Sequence, residues 1–270
     1  MTAFGTAIVA APQAATGWAA VAVAALMLCL WAASLALRDA SIVDPAWGPL
    51  LVVVALVSAL TGDGCLGRRW LLLALTAIWG LRLGAHLLIR RRGHPGEDRR
   101  YAAMRERHPR SFALWSLAAI FALQGLLILV VSLPIQVAAT RGGTLGPWIA
   151  PGLALFTVGL TFEVVGDEQL RRFRADPDSS GAVMDRGLWR FTRHPNYFGD
   201  ACVWWGLWLV ALTAGQTWWT FVGPAVMTAL LARVSGKPLL EREIAQRRPG
   251  YAEYVTRTSG FFPWPPRRES

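Results

Sequence analysis

"RGLWRFTRHPNYFGD", residues 186–200, runs directly into "ACVWWGLWLVALTA", residues 201–214. The first stretch packs three arginines, a histidine, an asparagine, a tyrosine and an aspartate into fifteen positions, and the second is almost wholly apolar. Charged side chains are costly inside hydrocarbon, so this boundary reads as the point where a membrane-spanning helix meets water. A solvated loop tolerates so much hydrogen-bonding capacity, and so does the cradle of an anionic cofactor. The apolar side of the boundary sets the fold, and the polar side raises the question of function.

Outward from that boundary the same pattern repeats. The 270 residues are 54% hydrophobic with 14 Trp, and the mean hydropathy of +0.38 is too high for an ordinary soluble domain. Apolar runs of about the ~20 residues a spanning helix needs fall at 17–37, 42–60, 70–89, 112–138, 146–165, 201–214 and 218–234. The second, fifth and sixth depart furthest from a uniform span, because they contain Pro, internal acids or few residues. The prediction is an all-α polytopic membrane protein of about seven transmembrane helices, forming one membrane-embedded domain over residues 1–270.

The first sixteen residues hold no Lys or Arg, so "APQAATG" is not read as a signal-peptide cleavage site. Cys29, Cys65 and Cys202 share no CxxC spacing, which implies neither a disulfide framework nor a metal site. The net charge of +10 is unevenly placed. Residues 90–110 hold eight arginines and residues 171–193 hold six, whereas "TGDGCLGRR" and "TRGGTLGP" are short and hold few. The positive-inside rule puts the arginine-rich segments and the basic tail in the cytoplasm and the amino terminus outside. Arginines that flank membrane segments attract anionic lipid, and no nucleic-acid partner is expected.

Punctuation falls at 93–96, 176–181 and 236–238, all turn-forming clusters on the predicted cytoplasmic side. After Pro238, apolar or aromatic residues at Leu239, Leu240, Ile244, Tyr251, Tyr254 and Val255 predict short amphipathic helices against the membrane face, broken at Pro249-Gly250.

Four clusters carry candidate chemistry. In "SIVDPAWGP", Asp44 reads either as a helix-start residue before Pro45 or as an active-site acid. Arg82, His86 and Arg90 are spaced i, i+4, i+8 and share one helical face; Arg90 is near enough to the end to snorkel, while Arg82 needs a counter-charge. Asp167, Arg171 and Arg174 share another face, as a self-neutralising surface network or as a polyphosphate or ribose site. In the opening stretch, Arg186, Arg190, Arg193, His194, Asn196 and Asp200 converge, and Pro195 would break a helix and leave backbone amides for an anion.

At these residues the chain resembles a known superfamily. "GLWRFTRHPNYFGD" is similar to the nucleotide-binding stretch of steroid 5-alpha-reductases and sterol C14 and C7 reductases. "SIVDPAWG", "EDRRYAAMRER" and "SGKPLLERE...YAEYVTRTSGFFPWPP" look like the bacterial membrane branch of that superfamily, and the likeness covers residues 41–266. It implies a seven-helix membrane reductase using NADPH on an activated carbon–carbon double bond of a lipophilic substrate, sterol-like, isoprenoid or fatty-acyl, drawn from the bilayer. By position it implies that Asn196, with Tyr197 nearby, contacts the nicotinamide end. It implies further that Asp167, Arg171 and Arg174 grip ribose and phosphates, and that Arg82 matches a third-helix arginine. Arg190, Arg193, Asp200 and Tyr254 complete the expected cofactor set; Asp44, His86, His194 and Tyr197 are the candidate proton donors. The steroid reductases have a Gln-Glu pair on helix two and a Tyr one turn before that arginine; here Asp44 and Trp79 stand nearest. Isoprenylcysteine carboxyl methyltransferases, which bind S-adenosylmethionine, share Arg-His-Pro-x-Tyr-x-Gly and a later Glu and Tyr-x-x-Tyr, and are the alternative enzyme reading. A lipid-binding membrane scaffold is the non-enzymatic one.

The arginine asymmetry generates a first prediction. Cysteines substituted at Gly96, Ser180 and Ser270 should react only from the cytoplasmic side, and one at Gly143 only from outside. A carboxyl terminus that labels from outside would overturn the seven-span count.

Overall fold

The computed structural model describes residues 3–93, 96–234, 241, 244, 248 and 250–267. Among them every regular element is a helix. Five are long and apolar enough to cross a membrane: Ala15–Leu37, Ala40–Thr61, Leu66–Arg92, Phe112–Val131 and Ile149–Ala175. The chain divides into two compact units, one of Met1–Pro147 with Val210–Gly223 and one of Trp148–Leu209 with Pro224–Ser270.

The first unit holds helices α1 (Ala3–Leu37), α2 (Val43–Thr61), α3 (Leu66–Arg92), α4 (Arg99–Arg107), α5 (Phe112–Val131) and α6 (Leu133–Ala139). Asp39 accepts from the Ser41 amide and hydroxyl, at 2.9 and 2.6 Å, and so caps the short turn that leads into α2. Pro49 lies inside α2 without ending it, as membrane helices tolerate where neighbouring groups re-satisfy the backbone. The predicted run 112–138 is two helices rather than one. Ser132 leaves helical geometry, with ψ near 2°, and Pro134 opens the next helix, where its missing N–H costs nothing. Residues Leu117–Ala122 of α5 form a π-helical turn.

α2 and α3 touch backbone to backbone. A Cβ on Gly80 would lie 2.6 Å from the Gly48 carbonyl oxygen, and one on Gly84 would lie 2.8 Å from Pro49 Cδ. Close approach through small residues four apart is how membrane helices gain packing when lipid offers no hydrophobic drive.

The second unit is built on α7 (Ile149–Ala175) and α8 (Pro195–Leu212), followed by α9 (Val222–Ala229, mainly in this unit) and α10 (Tyr251–Arg257). Its packing device is a glycine heptad. Gly152 and Gly159 on α7 face Gly206 and Gly199 on α8, and Gly166 faces Pro195, so that a Cβ on Gly159 would lie 2.5 Å from the Gly199 carbonyl. The seven-residue period keeps one stripe on one face over about four turns.

Two expected spans take a different form. The run 201–214 belongs to α8, which starts six residues earlier, at Pro195, and carries Asn196 and Asp200 in its first turns. The run 218–234 is a shorter apolar helix, with a 3-10 start and a π-helical end. Of the expected carboxyl-terminal helices, α10 covers Tyr251 to Arg257; Leu239, Leu240 and Pro249, like His94, Pro95 and the 236–238 turn, lie outside the described residues.

Gly159→Ala should cost about 1–3 kcal/mol, the range for overpacking, because both nearest atoms of its Cβ are backbone. Gly142→Ala, with nothing within 4 Å of the added Cβ, is the control. Equal melting temperatures for the two in one detergent would show that the glycine contact does not hold α7 to α8.

Candidate functional site

The 186–200 segment is not a solvated loop. Gly187 adopts φ +58, a left-handed conformation that suits glycine, and opens a 3-10 turn to Arg190. Gln169 of α7 accepts from the Leu188 amide at 3.0 Å, and Trp189 Nε1 donates to the Gly166 carbonyl at 3.0 Å. The turn is thereby docked on α7. Beyond it Thr192, Arg193, His194 and Pro195 are buried, and Pro195 opens α8 at the position where its fixed φ suits a first helical turn.

Arg193 is 8% exposed and is held by the tail. Its Nε donates to Glu241 at 2.8 Å, and Nη1 donates to the Val255 and Thr258 carbonyls at 3.1 and 2.6 Å. The Arg193 amide reaches Ser259 at 2.9 Å. His194 Nε2 lies 3.0 Å from the same Glu241 oxygen, and its ring stacks on Tyr197 at 5.2 Å with the planes 4° apart. Burial alone would raise the Glu241 carboxyl, but hydrogen bonds from His194 and Arg193, and their charges, hold it down at about 2.

The rest of the tail adds to this clasp. The Tyr254 hydroxyl donates to the Trp189 carbonyl, Thr192 Oγ1 donates to the Phe261 carbonyl at 2.9 Å, and Arg257 pairs with Asp185 at 2.6 Å. Burial, with the Glu241 charge second, pushes Tyr251 up to about 12, and burial raises Tyr254. Arg193 and Tyr254, expected at a cofactor, are internal fasteners here. Three donors of the guanidinium fork and the phenol hydrogen are already committed to protein oxygens.

What remains available lies beside the clasp. Asp167 is 7% exposed and accepts from Asn196 Nδ2 at 3.0 Å, while Asn196 Oδ1 receives the Tyr197 amide at 3.1 Å. Asn196 and Tyr197 are themselves half-buried, and Asp200 and Glu163 are buried. Arg174, Arg186 and Arg190 are exposed. Arg171 does not pair with Asp167. It shares Glu168 with Arg172, both at 2.6 Å, in an exposed i+3/i+4 network, because Asp167 turns into the α7–α8 contact and Glu168 away from it. Asp167, Arg171 and Arg174 share the face expected from spacing, but Asp167 is buried against α8, whereas Arg171 and Arg174, one and two turns nearer the helix end, are exposed.

In the first unit Asp44 stands where the helix-start reading puts it. It sits in the first turn of α2, and it receives Arg100 Nη2 at 2.8 Å and the Tyr101 hydroxyl at 2.7 Å. Gln124 Nε2 donates to Tyr101 at 3.3 Å and Trp47 donates to Gln124 at 2.8 Å. Burial first, and Asp44 second, raise the Tyr101 phenol far above its ordinary value. The "EDRRY" motif builds this arrangement. Glu97 accepts from the Ala40 amide and from Arg105, Asp98 caps α4, and Arg91 pairs with Asp39. Arg82 and His86 are half-buried on α3, and Arg90 is exposed. Glu241, Tyr101 and Gln124 escaped the sequence reading, since none stands within four residues of the group it serves. Among the described residues no cluster of His, Cys, Asp or Glu could hold a metal.

Several helices apolar enough to span a bilayer, with polar networks at their ends, have the form of an integral membrane protein. The chain belongs to the family described as "Protein of unknown function (DUF1295)", which matches residues 30–258. It is similar to an uncharacterized protein of Schizosaccharomyces pombe, 26% identical over 263 residues that cover 87% of this chain and 75% of that protein. No solved structure matches the chain.

The clasp generates a pH prediction. The Glu241 carboxyl is held below its ordinary 4.5, so its contribution to stability is present above pH 4.5 and is lost as pH falls toward 2. Melting temperatures of wild type should fall through that window more steeply than those of Glu241→Gln. Parallel profiles would remove Glu241 from the clasp. Arg193→Ala should lower the melting temperature at neutral pH, whereas Arg190→Ala, at an exposed position, should leave it within the range of surface changes.

Proposed function

We propose that the chain is a reductase of bacterial inner membranes with seven spans, its amino terminus outside and its carboxyl terminus in the cytoplasm. It uses NADPH to reduce an activated carbon–carbon double bond in a lipophilic substrate that enters from the bilayer. The observation that carries the reading is Asn196, held by buried Asp167 at the start of α8 on a unit that also presents Arg174, Arg186 and Arg190 to solvent. The resemblance of residues 187–200 to the nucleotide-binding stretch of sterol and steroid reductases supports it.

The residues fit a phosphorylated dinucleotide at two points. An amide side chain retains one N–H and one lone pair after its bonds to Asp167 and Tyr197, which matches a carboxamide. Exposed guanidinium forks match phosphate oxygens. Arg174, Arg186 and Arg190 would hold the phosphates, with Arg171 available where a phosphate competes with Glu168. When bound, NADPH supplies a hydride to the alkene.

The second hydrogen arrives as a proton, and the chain's own residues differ in fitness for that step. Asp44, bonded by Arg100 and Tyr101, acts as an acceptor. His194 is buried on Glu241 and forms the floor under Tyr197. Tyr197, half-buried in the same unit as Asn196, is the donor in this reading.

Thermal stabilisation of the detergent-purified chain by NADPH, and not by S-adenosylmethionine, is the expected result; the reverse pattern would replace the reductase with a methyltransferase. Asn196→Ala should weaken NADPH binding by about 5- to 150-fold, the effect of roughly 1–3 kcal/mol, while Ser180→Ala leaves it unchanged. Equal affinities would remove Asn196 from the site.

A further inference from the structure

The two short loops that the charge asymmetry assigns to the outside are poor in arginine, yet the fold brings their arginines to one corner of the first unit. α3 starts at Leu66, and its N-cap, Cys65, makes no side-chain capping bond. The first amides of a helix lack internal partners and carry the positive end of its dipole. Arg68, three residues on, is wholly buried. Its Nε donates to the Ala138 carbonyl at 3.2 Å, and its Nη2 to the carbonyls of Arg141 and of Gly142, the latter at 2.9 Å.

The Cys65 amide bonds the same Arg141 carbonyl at 3.1 Å, which sets the guanidinium beside the helix start. Among the described residues Arg68 Nη1 and Arg69 Nε are buried without a hydrogen-bond partner. Arg141 is exposed, and the only acid in either loop is the exposed Asp63. No ion pair neutralises Arg68, Arg69 or Arg141 among the described residues. A buried guanidinium without a carboxylate is costly unless an anion accompanies it.

We infer that the amino end of α3 binds a phosphate-bearing anion, the headgroup of an anionic phospholipid or a free phosphate, between Arg68, Arg69 and the first-turn amides. The site goes beyond the reductase reading and stands whether or not that reading does, because it lies at the amino end of α3, whereas Arg82 and His86 sit sixteen and twenty residues further along that helix. Helix dipole, orphan amides and a buried fork all favour a dianion or monoanion with several oxygens.

Cys65 is half-buried at the lip of this site and gives a local readout that the arginine-rich segment at 90–110 does not disturb. In a full-length chain whose Cys29 and Cys202 are replaced by Ser and Ala, N-ethylmaleimide alkylation of Cys65 is timed in detergent. The additions are phosphatidylglycerol, phosphatidylcholine or sodium phosphate. At about four times Kd, occupancy should leave roughly a fifth of the chain free and slow alkylation about fivefold.

Protection by phosphatidylglycerol alone identifies a headgroup, and protection by phosphate as well identifies the free anion. Arg69→Gln, whose guanidinium holds no part of the fold together, should abolish the protection. Equal rates with all additions, or unchanged protection in Arg69→Gln, would overturn the site.

Discussion

A guanidinium placed where water cannot reach it must find all its partners in the protein, and Arg193 finds them in a segment about sixty residues away. Glu241, the Val255 carbonyl and the Thr258 carbonyl take its donors, and one consequence follows from each. Glu241 also engages His194, so the histidine is fixed and its ring supports Tyr197. The two carbonyls come from α10 and the turn after it, so the tail is drawn over residues 189–193. The start of α8 is therefore set by an electrostatic clasp on one side and by a glycine stripe against α7 on the other. Asn196 emerges between those constraints with its amide plane fixed by Asp167 and the Tyr197 backbone. Preorganisation of that kind lets a weak hydrogen-bonding group discriminate between ligands.

The apolar helices were legible in the sequence because hydrocarbon selects for length and composition, and both are local properties. The boundaries were less legible, for reasons that sit in single residues. Ser132 and Pro134 divide a run that is mostly apolar, and Pro195 moves the start of α8 into a polar stretch. The glycine heptad on α7 is visible in the sequence only as three scattered glycines until α8 supplies its partners. Composition registers a glycine as the absence of a side chain, whereas packing uses it as a place where backbone can approach backbone.

The candidate site was legible in its residues and not in their roles. Spacing placed Asp167, Arg171 and Arg174 together, but burial divides them: Asp167 is engaged by Asn196, and exposed Arg171 pairs with Glu168. Arg193, read as a phosphate ligand, turned out to be a fastener because Glu241 stands 48 residues further on, where no periodicity connects the two. Tyr254 behaves the same way toward Trp189. In each case the long-range partner decides the function, and a single sequence carries no record of that partner.

Asp44 is both a helix-start residue and the centre of a hydrogen-bonded cluster. A carboxylate in the first turn of a helix is stabilised by the dipole, and the same carboxylate here receives Arg100 and Tyr101 from α4. Glu97, Asp98 and Asp39 fasten the segment that delivers them, so much of the charge in residues 97–105 exists to present two donors to one acid. Both oxygens of the carboxylate accept hydrogen bonds in this arrangement. In the reductase reading this removes Asp44 from the set of proton donors and makes it an anchor for a donor group instead. The acid chemistry then passes to a hydroxyl, and Tyr197 remains for it.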